Sequence, residues 1–465
     1  MYRRIGASAL VVALAACSAA PAPKPASVST KPATTAVKWN ADPYPSTYKP
    51  YPAAPTAIRG ATILDGEGGR IERGVVFMSG GKITSIGGPD TPIPADIAVF
   101  DGTGKYVTPG IIDIHSHLGD YPSPQVDALS DGNEATGPVR PEVWAEHSVW
   151  PQDPGFSRAL VNGGITSLQI LPGSANLFGG RSVVLKNVYA RTVQGMKFPG
   201  APYGLKMACG ENPKRVYGSR GQMPATRMGN MAVNRGVWAK AVEYKKKLDK
   251  GGDVTRDIAM DTLAGVLAGD ILVQNHCYRA DEMAQMIDLS KEFGYKITAF
   301  HHAVESYKIA DLLKANGICS AMWADWWGFK MEAYDAIPEN IPLVHNAGAC
   351  AIVHSDDANG IQRLNQEAAK ALASGRRAGI VIPEEIAWTW LSWNPAKAMG
   401  IGDRTGSLKV GKMADVVLWN GNPFSVYTRP ERVWIDGALM YDANDPKRRP
   451  VSDFELGQAG EGDTK

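Results

Sequence analysis

Short apolar runs alternate with amphipathic stretches along the middle of the chain. Near-continuous apolar strands that alternate with amphipathic helices are typical of a parallel sheet covered by helices. Eight strands between residues 110 and 400 favour a closed (β/α)8 barrel over an open sheet. The predicted strands cover 110–114, 165–171, 183–185, 205–209, 271–276, 297–302, 318–322 and 350–354. Helical periodicity covers 238–248, 256–268, 281–293, 306–315, 362–373 and 383–398.

The two flanks of this region have a different pattern. Residues 57–109 contain short strand-like runs that are separated by Gly and Pro, and a similar pattern returns at 401–445. Short runs bounded by turn residues are typical of β-structure. We therefore predict a closed (β/α)8 barrel over 110–400 and one small β-domain in which 57–109 pairs with 401–445.

The first residues resemble an export signal. A basic start at Arg3 and Arg4 precedes an apolar run over 5–16, which is shorter than a membrane span. The run ends at Cys17 in a segment that resembles a bacterial lipobox. We expect a lipoprotein signal peptide over 1–20, a Pro/Ala-rich tether over 21–56, and a periplasmic protein anchored through lipidated Cys17. An ordinary signal peptide is the alternative.

Composition places the chain among globular proteins. Hydrophobic residues make up 44% and charged residues 21% of the chain. The 49 basic and 47 acidic residues give a net charge of +2, which argues against nucleic-acid binding. No oligomeric state is predicted. Because the cysteines after Cys17 lie in apolar runs, we expect buried free thiols rather than disulfides at Cys209, Cys277, Cys319 and Cys350.

Histidines gather at the ends of the predicted strands. His115 and His117 end the first strand, and residues i and i+2 of a strand point to the same face. Two imidazoles on one face suit a metal such as Zn²⁺. The carboxyl ends of barrel strands are where such enzymes build their sites. Other metal-type residues end later strands, namely His276, His301, His302 and Asp356.

At these residues the chain resembles the amidohydrolase superfamily. The motifs are VTPGIIDIHSH at 107–117, NPAKAMG at 394–400, GSLKVGKMADVVL at 406–418 and IDG at 435–437. Segments 164–166, 172–176 and 179–180 look like the imidazolonepropionase-like branch, which includes Xaa-Pro dipeptidases. The resemblance implies a distorted barrel with a composite β-sandwich. It also implies a metal-dependent hydrolase with one or two divalent cations, with Zn²⁺ as the expected metal.

The resemblance carries the metal ligands over by position. His115 and His117 match the pair on the first strand, and Asp356 matches the aspartate on the eighth. His276 and His302 match the ligands from strands five and six.

His301 departs from the family pattern. The family's usual Glu-His pair aligns with His301 and His302, and its second member binds the metal. Either histidine can nevertheless be the ligand, and His301 is also a candidate substrate contact. His354 shares a strand face with Asp356, so lining the barrel and simple packing are both open for it.

Two residues compete for the ligand that bridges two metals. Lys206 lies in a segment like that of the dipeptidase branch, where a carboxylated lysine forms the bridge, whereas Glu211 lies five residues later. An unmodified lysine inside an apolar strand is costly, which favours a carboxylated Lys206. The alternative role for Glu211 is a loop ion pair.

The resemblance also implies catalytic roles. Asp356 is expected to move the proton from water to the leaving amine. Tyr278 matches a residue that donates to the developing oxyanion, with a packed aromatic as the alternative. Arg279 can pair with a substrate carboxylate or form a surface ion pair, and Asn176 is a candidate pocket residue.

The predicted function is hydrolysis of C–N bonds in a small amide, cyclic amide or peptide. Deamination or lactone hydrolysis at the same site is one alternative. The other is an inactive, lipid-anchored binding protein.

Overall fold

The computed structural model describes residues 42–251 and 254–448. The predicted signal peptide, Cys17 and tether residues 21–41 lie outside the described residues, so these predictions stay untested.

Sixteen strands and eleven α-helices make up the described chain, together with short 3₁₀ turns. The strands are β1 Thr56–Leu64, β2 Arg70–Ser79, β3 Lys82–Gly87, β4 Ala98–Asp101, β5 Tyr106–Pro109, β6 Ile111–Ser116, β7 Ile165–Ile170, β8 Phe178–Lys186, β9 Gly204–Ala208, β10 Leu272–Cys277, β11 Ile297–His302, β12 Cys319–Met322, β13 Cys350–Val353, β14 Val416–Trp419, β15 Pro430–Ile435 and β16 Ala438–Asp442. The helices are α1 Pro154–Gly163, α2 Val193–Met196, α3 Glu211–Gly218, α4 Arg227–Asp249, α5 Ile258–Ala268, α6 Ala280–Phe293, α7 Ala310–Asn316, α8 Asn340–Asn346, α9 Leu364–Arg377, α10 Glu384–Ala387 and α11 Trp393–Ala398.

Eight consecutive strands form the barrel sheet, in the order β6 to β13. The predicted distorted TIM barrel is therefore confirmed. Every residue of β6, β7 and β8 is buried, as expected for strands that are covered on both faces. The sheet comes close to closing between its first and last strands. There the backbone N–H of Asp356 donates to the carbonyl of His115 at 3.0 Å, and the N–H of Ser355 donates to Asp113 at 3.2 Å.

One strand of the barrel breaks the predicted parallel pattern. β8 runs antiparallel to both β7 and β9, and it is longer than the predicted run 183–185. Only residues 171–177 separate β7 from β8, and a parallel pair needs a connection of a dozen or more residues. A short link therefore forces the strand to turn back. The chain reverses direction before β8 and again after it, so β9 runs parallel to β7.

The two ends of the described chain meet in a second eight-stranded sheet. Its order is β16-β15-β14-β5-β1-β2-β3, and β4 pairs with β1. The antiparallel pair β5–β14 connects the N-terminal strands of this sheet to its C-terminal strands. A buried ammonium connects this sheet to the barrel, because Lys186 of β8 lies 2.6 Å from Asp436 and 3.1 Å from Asp415.

The expectation of free thiols was wrong. Cys209 is bonded to Cys277, and Cys319 is bonded to Cys350. Parallel pairing places Cys319 opposite Cys350 on β12 and β13, with their Cα atoms 4.5 Å apart. Residues that are distant in sequence thus become direct neighbours across strands, which the composition of the runs could not reveal.

Among the described residues, none of the helices combines the length and the apolar character that a membrane span needs.

Candidate active site

Metal-binding side chains converge at the carboxyl end of the barrel strands. Nε2 of His115 and Nε2 of His117 are 3.3 Å apart, and Oδ1 of Asp356 is 3.2 Å from each of them. In a tetrahedral zinc site with bonds of 2.0–2.1 Å, ligand atoms are separated by roughly 3.3 Å. The three atoms therefore have the mutual spacing of a metal's ligands.

The hydrogen bonds on the far side of the two imidazoles decide which nitrogens carry protons. Nδ1 of His117 lies 2.8 Å from the carbonyl oxygen of Leu171, which can only accept, so Nδ1 carries the proton. His117 Nε2 then has a free lone pair directed at the site. Such outer partners commonly fix the tautomer of a metal-binding histidine.

His115 is oriented by a chain of buried groups. The amide nitrogen of Gln274 donates to the carbonyl of Ala398 at 3.2 Å, so its Oε1 accepts from His301 Nε2 at 2.8 Å. Nδ1 of His301 is then an acceptor, and His115 Nδ1 donates to it at 2.9 Å. Nε2 of His115 is left with a free lone pair. His301 thus lies behind His115 with both nitrogens engaged, a position that suits orienting a ligand rather than contacting substrate.

Three lone-pair atoms therefore face one another, and their repulsion is relieved by a cation or by a donor such as the Lys206 amine, 3.3 Å from His115 Nε2. Burial lowers the pKa of His115 well below its ordinary value, and the Lys206 amine acts in the same direction. The imidazole is thus neutral, as a ligand must be. This donor set fits a divalent cation.

The side chain of Lys206 also reaches the ring nitrogen of His115. Its Nζ lies 3.3 Å from His115 Nε2 and donates to the carbonyl of Pro172 at 2.8 Å. The side chain is fully buried, and desolvation lowers the pKa of Lys206 to about 7. Much of the amine is therefore neutral near neutral pH, which is the form that can react with CO₂.

The other candidate bridge, Glu211, starts helix α3. Its backbone N–H donates to the carboxylate of Glu332 at 2.8 Å. Within residues 42–251 and 254–448, no hydrogen bond or ion pair joins the Glu211 carboxylate to the histidines. The structure thus brings Lys206, but not Glu211, into contact with this group.

A second group of donors adjoins the first. His115, His302 and His354 each offer a ring nitrogen within 4.8 Å of the others, and Nε2 of His354 is 3.0 Å from Nδ1 of His302. The ring centres of His276 and His302 are 4.6 Å apart. His302 has a φ of 69°, a left-handed conformation that interrupts strand alternation. The rings of His301 and His302 therefore lie at the same distance, 4.8 Å between ring centres, from the ring of His115.

Tyr278 lies against this second group. Its ring centre is 4.7 Å from that of His276 and 5.4 Å from that of His302. Burial raises the pKa of the Tyr278 hydroxyl, and the carboxylate of Asp356 acts in the same direction. The hydroxyl is thus held protonated and remains a hydrogen-bond donor.

Two predicted substrate contacts have other partners. The buried amide of Asn176 donates to the carbonyls of Glu134 and Gly137, each at 2.7 Å, and so holds the long insertion after β6. The guanidinium of Arg279 forms a forked ion pair with Asp281, at 2.9 and 3.0 Å. The structure therefore gives no support for a substrate role of either residue.

The structure also shows site residues that the sequence did not indicate. Nδ2 of Asn212 is 3.4 Å from His276 Nε2, and Oδ1 of Asn212 accepts from Lys330 at 3.1 Å. Asn212 follows β9, and Lys330 lies in the loop between β12 and α8. Neither residue stands at a recognisable spacing from the histidines, so no sequence signal marked them.

The fold, the site and the sequence comparisons all indicate an amidohydrolase. The model of the Amidohydrolase family matches residues 106–447, and the chain belongs to this family. The chain is 32% identical over 431 residues to amidohydrolase tasK of Hapsidospora irregularis, a match that covers 83% of this chain and 43% of that protein. The chain thus spans less than half the length of this relative.

Two further relatives match over most of their length. A solved amidohydrolase structure from Thermotoga maritima MSB8 has 36% sequence identity and a TM-score of 0.77, and the match covers 83% of this chain and 100% of that one. Imidazolonepropionase of Shewanella sp. (strain W3-18-1) is 24% identical over 387 residues, which are 76% of this chain and 88% of that protein. The predicted superfamily is thereby confirmed.

Proposed function

We propose that this chain is a metal-dependent hydrolase that cleaves C–N bonds in amides, cyclic amides or peptides. The observation that carries the proposal is the convergence of lone pairs from His115, His117 and Asp356 at separations of 3.2–3.3 Å. Family membership supports hydrolysis as the class of reaction.

The first metal would be held by His115, His117 and Asp356. A second would be held by His276 and His302, with a carboxylated Lys206 as the shared anionic ligand. We propose Zn²⁺, because imidazole and carboxylate donors suit it. A bound divalent cation supplies a Lewis acid that polarises a carbonyl and lowers the pKa of water.

Asp356 is the residue best placed to move protons. Its Oδ1 lies 3.2 Å from Nε2 of both histidines, and 28% of its side chain remains exposed to solvent. A carboxylate there can accept a proton from the attacking water and deliver it to the leaving amine. Its φ of 68° is a left-handed conformation, which is uncommon for residues other than glycine.

We propose that Tyr278 stabilises the oxyanion that forms when the amide carbonyl is attacked. Its protonated hydroxyl sits beside His276 in a buried site, where a hydrogen bond to a developing charge is strong. Removing one such donor typically costs about 10²–10³ in kcat.

We further propose a periplasmic location with a lipid anchor at Cys17. The two disulfides support this part of the proposal, because such bonds persist in oxidising compartments. The expected partners are small amide or peptide substrates rather than nucleic acid.

Turnover on matched compounds tests the proposed reaction. The zinc-loaded chain is assayed with N-acetyl amino acids, dipeptides, a lactone and an aminopurine. We expect amine release from the amides at rates at least about tenfold above those on the other compounds. Preferred lactone opening or ammonia release would identify one of the alternative reactions. Binding without any turnover would indicate a binding protein.

A further inference from the structure

Lys330 occupies an unusual place at the mouth of the barrel. Its Nζ lies 4.4 Å from the centre of the Tyr278 ring and 5.3 Å from that of Phe329. The same ammonium donates to Oδ1 of Asn212 at 3.1 Å. An ammonium that is half-buried over two ring faces is stabilised by cation–π attraction but retains unused donors.

Only one side chain separates this ammonium from a proposed metal ligand. Nδ2 of Asn212 donates to Ser174 Oγ at 2.8 Å and lies 3.4 Å from His276 Nε2. A group bound to Lys330 would therefore lie beside the proposed second metal site.

The ammonium of Lys330 has no carboxylate within ion-pair distance among the described residues. Lys308, in contrast, lies 3.2 Å from Glu305 and 2.7 Å from Asp335. Burial lowers the pKa of Lys330, and Glu211 and Glu332 oppose this shift from beyond ion-pair distance. A partly desolvated cation without a counter-ion is costly, and an anionic ligand would remove that cost.

Trp323 adjoins both aromatic rings that Lys330 contacts, Tyr278 and Phe329. Trp323 packs against Trp326 at 5.0 Å and against Phe329 at 5.8 Å between ring centres. Phe329 is 53% exposed and Trp327 is 60% exposed. Large exposed apolar side chains next to a site are a common mark of a binding surface.

We propose that Lys330 binds a free carboxylate of the substrate and that the aromatic wall formed by Tyr278, Trp323 and Phe329 contacts an apolar side chain of the same molecule. The substrate class is then N-acyl amino acids or dipeptides with a free carboxylate beside an apolar or aromatic residue. This inference rests on the proposed amide hydrolysis, and it assigns to Lys330 the role that the sequence had suggested for Arg279.

The first experiment measures binding, so that it does not depend on turnover. The probes are 3-phenylpropanoate and its neutral analogue 3-phenylpropanamide, titrated by calorimetry into zinc-loaded wild type, Lys330→Gln and Lys330→Arg. Lys308→Gln serves as the matched control, because its ammonium is already paired.

We expect the Kd for 3-phenylpropanoate to rise at least about tenfold in Lys330→Gln, as for loss of a charge-assisted hydrogen bond. Lys330→Arg and Lys308→Gln should stay within about threefold of wild type, and the Kd for the amide should be similar in all four proteins. Any carboxylate contact with zinc is common to the four proteins and cancels in the comparison. Equal affinity of wild type and Lys330→Gln for the carboxylate, or no binding by wild type, would overturn the inference.

The second experiment measures the ratio of kcat/KM for N-acetyl-L-phenylalanine to that for N-acetyl-L-phenylalaninamide. This ratio should exceed about ten in wild type and in Lys308→Gln, and should fall toward one in Lys330→Gln. An unchanged ratio in Lys330→Gln would overturn the inference. Absence of turnover combined with Lys330-dependent binding of the carboxylate would instead refute the proposed hydrolysis and leave the carboxylate site intact.

Discussion

His115 and Asp356 contact each other both through the backbone and through their side chains. The N–H of Asp356 donates to the carbonyl of His115 at 3.0 Å, and Oδ1 of Asp356 lies 3.2 Å from His115 Nε2. One residue ends the first strand of the barrel, and the other follows the last. Bringing these two strands together therefore also assembles the metal-type ligands, so the fold and the site depend on the same contact.

Replacing Asp356 with Asn tests its role in proton transfer. The amide keeps an oxygen at the ligand position but cannot accept the proton of the attacking water. We expect kcat to fall by about 10²–10⁴ while metal content is retained. Steady-state kinetics on the best amide substrate, with elemental analysis of the same sample, measures both quantities. Full activity in Asp356→Asn would show that another group moves the proton.

His301→Phe tests the chain of hydrogen bonds behind His115. This change removes the acceptor that holds the proton on His115 Nδ1, so the orientation of Nε2 toward the site is lost. We expect metal affinity to fall by about 10–100-fold, as is typical for such outer partners. Competition with a metal chelator measures the affinity. His345→Phe, at a half-buried histidine of α8, is the control, and an equal loss there would remove the specific role of His301.

The metal-free protein should show a pH dependence that comes from Lys206. Burial lowers the pKa of Lys206 in the folded chain from 10.5 to about 7, so the unfolded chain binds this proton more tightly between these values. The free energy of unfolding should therefore rise with pH from about 7 to 10.5 and then level off, by at most about 1.4 kcal/mol per pH unit.

Lys206→Met isolates this contribution, because all other titrating groups are common to the two proteins. Urea unfolding in CO₂-depleted buffer with a chelator, at several values of pH, gives the two profiles. The difference in free energy between wild type and Lys206→Met should grow in favour of wild type across this window. A difference that does not vary with pH would show that the Lys206 amine is not desolvated.

The disulfide between β12 and β13 should stabilise the barrel away from the site. Cys319 and Cys350 are 31 residues apart in sequence, and closing a loop of that size contributes about 3–4 kcal/mol. The double change Cys319→Ser and Cys350→Ser should lower the free energy of unfolding by that amount and leave kcat unchanged. Denaturant titration under non-reducing conditions measures it, and a loss below about 1 kcal/mol would contradict a formed bond.

The barrel and the proximity of His115 to His117 were predictable because their signals are local. The apolar run before His115 and His117 predicts a buried strand, and their spacing of two residues places both imidazoles on one face of it. The reversal of β8 was missed, because it depends on the length of the link before it rather than on the strand itself.

Features that depend on distant residues could not be obtained from the sequence. The cross-strand disulfides require the register of parallel strands, and the role of His301 requires Gln274 and His115 to be neighbours in the barrel. Lys330 reaches the site from a loop, where no periodicity fixes the direction of a side chain. In each case tertiary contacts, rather than local pattern, decide what the residue does.

We propose that His115, His117 and Asp356 hold a divalent metal, with Lys206 as the bridge to a second one. The most direct test is the number of metal ions per chain, measured by elemental mass spectrometry on the zinc-reconstituted wild type, Lys206→Ala and Glu211→Ala. We predict close to two ions in wild type and Glu211→Ala, and loss of at least one in Lys206→Ala. A wild-type chain that binds no metal after reconstitution would contradict the claim.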